Sequence, residues 1–386
     1  MANNFNDIGN GSERKKKIRP PKRQFDGDVL ESIIRNLPGG KARMDALLPA
    51  IQQADEEQDH FWRLMFRYEY ACEATFRDDP PKCMPAAAEF HAIYQEHPEA
   101  LKRRSFTGAM EMHLMILEMG IEPIIGLPQI PMEQWQGLMD QFYALVKEYH
   151  LGLRTYWWQM CQFWQYIDKE KAFEYFQKFW KTGRDGVSDC RACERSNAVR
   201  ICLLMGDRAA ADEYARPIED GRMANSCSDT PQKCWLNYLE DALDRGDLKQ
   251  AEPRANALYR KGNRDKSDLD FIGAVLRCWS FTDLDRAVTL AVSRLEWSLG
   301  MWDQKLVYDF DKGAWTCFRQ LAKRADTVEL TLPEAFPLYR EDGVYSPQAL
   351  ADWFYAQAEK IGRAFDARNG SDFFRKNLAL AGRDLL

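Results

Sequence analysis

In this chain of 386 residues, the cysteines have the spacing most specific to a chemistry. Cys190 and Cys193 form a C-x-x-C pair; Cys227 follows Cys190 by 37 positions, and Cys234 follows Cys193 by 41. Four thiolates at one edge would suit Zn²⁺, which takes four ligands tetrahedrally and imposes no geometry of its own. The expectation is a structural Cys₄ zinc site of Cys190, Cys193, Cys227 and Cys234. If helix winding turns Cys234 inward, Asp189 or Asp229 would complete a Cys₃ site. Two other readings stand beside it. Free cysteine behaves as a small buried apolar residue, the expected state of Cys72, Cys161, Cys202, Cys278 and Cys317. A redox C-x-x-C would want a βαβ setting, which this stretch lacks.

A second spaced set is polar. Asn197 and Asn237 lie forty residues apart. A carboxamide carries an acceptor and two donors, which matches the C=O and N–H of a peptide unit. Arg154, Arg200 and Lys233 add cations suited to a carboxylate. The plain alternative is a solvated polar face. Between Tyr156 and Trp180 lie eleven aromatic residues, most of them expected in the core. Trp157 and Trp164 share one helical stripe with Cys161.

These residues sit in a repeated frame. Four segments run turn, Asp, then helix with Ala at a fixed offset: Asp168 to Ala172, Asp207 to Ala211, Asp247 to Ala251 and Asp283 to Ala287. The alanines are 39, 40 and 36 residues apart. Each Asp is placed to cap a helix, because its carboxylate accepts from unpaired first-turn N–H groups. Each small Ala lets that helix approach its neighbour. An apolar-periodic stretch precedes each segment, such as 197–205 or 234–243. Two-helix units of this length cannot bury their faces alone, and stacking solves that. The expectation is an all-α solenoid of antiparallel helix pairs, about fifteen helices in all.

The Gly-Asp-x-x-x-Ala segments, Gly206 to Ala211 and Gly246 to Ala251, resemble the start of the second helix of a tetratricopeptide repeat. Phe176 keeps the aromatic usual four residues later; Ala215 and Ala255 replace it. The body also resembles a family of bacterial tetratricopeptide-type proteins, through Asp189-Cys190-Arg191-Ala192-Cys193, Cys227 with Pro231, and Phe365-Asp366-Ala367-Arg368-Asn369-Gly370. The resemblance implies that Asn197 and Asn237 face a concave groove and hold the backbone of an extended ligand. It places Arg154, Arg200, Lys233, Trp157 and Trp164 on the same side. Four regions follow: a basic tail over 1–25, diverged helical repeats over 26–150, recognisable repeats over 151–325, and an extended arm with capping helices over 326–386. In the last, 328–333 alternates apolar and polar residues, 349–365 reads as helix, Asn369-Gly370 as its left-handed stop, and Ser371 as the cap of a final helix.

Composition narrows the function. The chain has 53 basic and 59 acidic residues, a net charge of −6. Seven basic residues and no acid fall between Arg14 and Arg23; with those set aside, 46 basic face 59 acidic residues, a body at −13. The tail is expected to be a solubilising arm, and nucleic acid is expected only through it. No apolar run reaches the ~18 residues of a membrane span, and the start lacks a secretory apolar region. Ten cysteines are too sparse for a secreted disulfide scaffold, so a cytoplasmic setting is expected. All five histidines precede the clear repeats, and no H-E-x-x-H, P-loop, G-x-S-x-G or dinucleotide fingerprint occurs. The expected function is therefore non-catalytic: a scaffold or adaptor that binds a protein or peptide in its groove. The alternative is a peptide-responsive regulatory receptor of the helical-repeat type, with a metal-dependent enzyme third.

Overall fold

The computed structural model describes residues 25–385 apart from 78, 106–107, 224–226, 228 and 263, with only the backbone of 103–105. The basic tail lies outside the described residues except for Phe25, which packs against the N-terminal core cluster. Among the described residues, seventeen α-helices carry the fold. The first six are α1 (Gly27–Arg35), α2 (Lys41–Glu56), α3 (His60–Arg77), α4 (Cys83–Glu96), α5 (Ala109–Ile121) and α6 (Met132–Tyr149). Four pairs follow: α7 (Leu153–Trp164) with α8 (Lys169–Lys181), α9 (Arg191–Leu204) with α10 (Arg208–Glu219), α11 (Gln232–Arg245) with α12 (Leu248–Lys261), and α13 (Leu269–Thr282) with α14 (Leu284–Ser298). The last three are α15 (Gln304–Ala322), α16 (Pro347–Asn369) and α17 (Phe373–Ala381). No described helix is long and apolar enough to cross a membrane.

The four Asp caps form as their spacing predicts. Asp168 accepts from Lys171 N at 3.0 Å, Asp207 from Ala210 N at 3.0 Å, Asp247 from Gln250 N at 3.1 Å and Asp283 from Arg286 N at 3.3 Å. Each satisfies a first-turn donor that the helix itself leaves unpaired. Ala172, Ala211, Ala251 and Ala287 are all fully buried, where a larger side chain would push the paired helices apart. The first helices of successive pairs also touch, α9 to α11, α11 to α13 and α13 to α15. Apolar burial therefore runs slice by slice. Trp157 and Trp164, for example, pack against the clusters on both sides of α7.

The C-terminal helices do more than cover the last pair. Between α15 and α16 the alternating stretch makes only a two-residue strand, β1 (Val328–Glu329), antiparallel to β2 (Val344–Tyr345) with Val328 opposite Tyr345. The helix α16 runs to Asn369 and stops at Gly370, whose φ of 60° is left-handed, as the Asn-Gly pair implies. The cap of α17 differs from expectation. Asp366, a residue of α16, accepts from Phe374 N at 3.0 Å and Arg375 N at 2.9 Å, because the tight corner brings its carboxylate over the open turn. Ser371 gives its hydroxyl to that same carboxylate.

These helices then meet the front of the chain. Arg368 donates to the carbonyls of Ile124, in the 3-10 segment after α5, and Leu127, the residue that ends it, at 2.8 and 3.2 Å. Asp303 packs on Gly126 of that segment, where a Cβ would come within 2.5 Å of its carboxylate. Arg383 reaches the carbonyl of Asp244 at the end of α11. The crossing of α13 and α15 is made by Gly273 and Gly313, whose backbones lie against each other.

Candidate functional site

The closure creates a cavity of about 500 Å³. One wall is made by the pairs, with Tyr166, Arg200, Asn237 and Glu240. The other comes from Lys305, Tyr308, Asp309 and Lys312 on α15, with Phe373 and Phe374 on α17. Lys305, Asp309 and Lys312 are spaced i, i+4, i+7 and so project from one helix face. Lys305 donates to Asp309 at 2.8 Å, and Lys312 donates to Asp309 at 2.9 Å and to Asn377 at 2.8 Å. Tyr308 donates its hydroxyl to the Phe374 carbonyl at 2.7 Å, which fixes α17 to α15. Arg200 donates to Gln165 at 2.6 Å and to Glu240 at 2.9 Å. The Tyr166 ring takes two cations, Arg200 at 5.3 Å and Lys305 at 5.4 Å.

Charge is held here against burial. Burial opposes ionisation of Asp309, but Lys305 and Lys312 keep its pKa well below the usual carboxylate range. Burial likewise opposes the Lys305 charge, yet Asp309, Tyr166 and Asp270 raise its pKa well above the ordinary lysine value. Asp270 differs. Burial pushes its pKa up to about 7, with Lys305 only partly offsetting.

The residues singled out by spacing do not share one site. Arg200 and Asn237 line the cavity. Arg154 does not; it is buried in a two-bond pair with Glu194 at 2.9 to 3.0 Å and donates to the carbonyls of Phe179 and Thr182. Trp157 and Trp164 turn toward α8. There Tyr175 lies 5.8 and 6.4 Å from their rings, Lys178 sits over Trp157, and Lys171 sits 3.4 Å over Trp164. The two asparagines share an environment, as their spacing implies, but each spends its amide on the preceding pair. Asn197 Nδ2 lies 3.6 Å from Cys161 Sγ, and Asn237 Nδ2 donates to Ser196 O at 2.8 Å. Arg154 with Glu194 and Arg200 with Glu240 each span forty residues as well. A forty-residue spacing of polar groups is thus a stitch between successive first helices.

Three of the four spaced cysteines converge. The sulfurs of Cys190, Cys193 and Cys227 lie within 4.8 Å of one another, with Cys193 and Cys227 at 3.4 Å. Cys234 is elsewhere, fully buried among Ala198, Cys202, Ala211 and Tyr238. Its position inside α11 turns it into the core, and burial pushes its thiol up to about 12. Cys190 caps α9, its sulfur accepting from Cys193 N at 3.2 Å. The bond to the Cys193 thiol and this backbone N–H lower the Cys190 pKa; the same thiol contact raises that of Cys193. Lys233 pairs with Asp229 at 2.9 Å and its ammonium feels Cys193. Asp189 accepts from Cys190 N at 2.6 Å.

Two further groups lie outside the residues singled out by spacing. The α15 charges carry a sequence signal, an i, i+4, i+7 pattern of opposite sign. The second is a buried polar chain that only folding assembles. Gln141 Nε2 donates to His91 Nε2 at 2.6 Å, His91 Nδ1 lies 2.8 Å from His113 Nε2, and His113 Nδ1 lies 2.9 Å from the Tyr149 hydroxyl. The Gln141 donor makes His91 Nε2 an acceptor, so His91 carries its proton on Nδ1 and His113 on its own Nδ1. Burial, then His91, lowers the His113 pKa to about 3, so both rings stay neutral.

Comparison with protein-family models, curated proteins and solved structures finds no match to this chain.

Proposed function

We propose that this chain is a non-catalytic binding protein of tetratricopeptide-like solenoid type, and that its ligand is a short peptide or peptide end seated in the cavity between α11, α15 and α17. The cavity carries this reading. Its volume of about 500 Å³ falls within the roughly 300–1,000 Å³ of small-ligand sites. Cationic Arg200, Arg245 and Lys376, acidic Asp241 and Asp244, and the rings of Tyr166 and Phe373 all line it. Groups of both signs around aromatic walls complement a molecule with an ammonium, a carboxylate and an apolar side chain between them. The test is a thermal-shift screen of di- to tetrapeptides with free and blocked termini. A free peptide should raise the unfolding temperature, and Arg200→Ala should remove the shift while keeping the helical circular-dichroism spectrum. The reading fails if no peptide shifts unfolding, or if blocked and free termini act alike.

One observation favours a peptide-responsive receptor as a second reading. Phe373, Phe374 and Leu380 of α17 form one cavity wall, so occupancy would bear directly on the helix that closes the fold. Solution scattering with the peptide from that screen should then show a changed radius of gyration. An unchanged profile leaves a rigid binder.

A further inference from the structure

We propose that Cys190, Cys193 and Cys227 bind one Zn²⁺ through three thiolates, leaving the fourth position to an exchangeable small ligand such as water. A Zn–S bond of roughly 2.3 Å in a tetrahedron separates ligand sulfurs by about 3.8 Å. The Cys193 and Cys227 sulfurs are already 3.4 Å apart, and all three lie within 4.8 Å. Small rotations about the side-chain bonds bring the set to that geometry. The three come from two separate places, Cys190 and Cys193 at the start of α9 and Cys227 in the connection between α10 and α11. Their meeting is therefore a property of the fold.

The surroundings suit thiolates. Cys190 stands at the N-terminus of a fourteen-residue helix, whose exposed N–H groups stabilise negative charge, and Cys193 N–H already points at its sulfur. Three thiolates around Zn²⁺ carry a net charge of −1, and the Lys233 ammonium lies near enough to Cys193 to offset it. Asp189 is engaged by Cys190 N–H and so orients the ligand without supplying one. Among the described residues no other His, Cys, Asp or Glu atom joins the trio at this range, so three donors and one open position are what the protein offers. Soft thiolates select against Mg²⁺ and Ca²⁺. The ion would tie the connection before α11 to the start of α9, and thereby one helix pair to the next.

Elemental analysis of the protein purified under reducing conditions without chelator should find about one zinc per chain. Replacement by Co²⁺ should give the visible bands of a tetrahedral ion together with sulfur-to-cobalt charge transfer, and added cyanide should shift the visible bands by taking the fourth position. Cys227→Ser lies outside any helix, so it should keep the helical spectrum and weaken Zn²⁺ binding by more than the roughly 10-fold cost of losing even an outer-sphere partner. Cys190→Ser should do the same, and Cys234→Ser should bind like the parent. Metal-free protein that gives no charge-transfer band with Co²⁺ overturns the proposal, as does copper in place of zinc, a Cys193–Cys227 disulfide in the reduced preparation, or a Cys234→Ser variant as weak as Cys227→Ser. Bands insensitive to cyanide overturn the open position.

Discussion

The pairs from α7 to α14 and the closing helices α15 to α17 use charged residues differently. In the pairs, the Asp of each second helix sits at the surface and serves its own first turn, as Asp247 does for Gln250. Its partner is three residues away, so the interaction exists wherever that helix exists. In the closing helices, Asp309 lies between two lysines, Lys312 bridges to Asn377 sixty-five residues on, and Arg368 reaches carbonyls more than 240 residues back. Lys305 and Lys312 share α15 with Asp309, but Lys312 with Asn377, and Arg368 with its carbonyls, meet only when helices distant in sequence pack together. The pairs combine local caps with charge pairs one repeat away, such as Arg154 with Glu194, and the closure adds contacts that reach 65 to 244 residues along the chain.

Three substitutions test that contrast. The largest effect should come from Asp309→Ala, which leaves the Lys305 and Lys312 ammonium groups buried without their carboxylate. Loss of one partner from such a cluster costs about 3–5 kcal/mol, to be read from urea unfolding. A loss below that of a surface cap would mean that the buried α15 cluster contributes little. Asp247→Ala removes one cap in the pairs and should cost about 1 kcal/mol. If it instead matches Asp309→Ala, the caps are not local features and the contrast fails.

The third effect concerns pH. Burial holds the Asp270 pKa at about 7 against an ordinary 3.8, so the folded chain binds a proton there that the unfolded chain releases. Stability from this group is fully present below the unfolded value and is lost as pH rises from about 4 to 7. Asp270→Asn should flatten that fall when unfolding is followed across the same range. An unchanged slope would place the titration elsewhere.

How much could be read in advance follows the same division. Asp168, Asp207, Asp247 and Asp283 announced their caps, and four alanines announced close helix pairing, because both signals are local. The spacing of Asn197 and Asn237 was real, but it marked one helix bonding to the helix before it. Equivalent positions in stacked units face equivalent neighbours, and a sequence period cannot say whether those neighbours are protein or ligand. Cys234 shows the other limit. Its spacing from Cys193 nearly equals the repeat, yet a helix turns 100° per residue and this position points into the core.

By itself, the sequence determined the helices, their pairing and the repeat length, since capping, small-residue contacts and apolar periodicity act within tens of residues. Only the tertiary structure decided that α15 to α17 return to the 3-10 segment after α5, that Arg200 and Lys305 share the face of Tyr166, and that three thiols meet while the fourth does not. Those outcomes depend on packing between residues far apart in the chain, and no local pattern of residues encodes it.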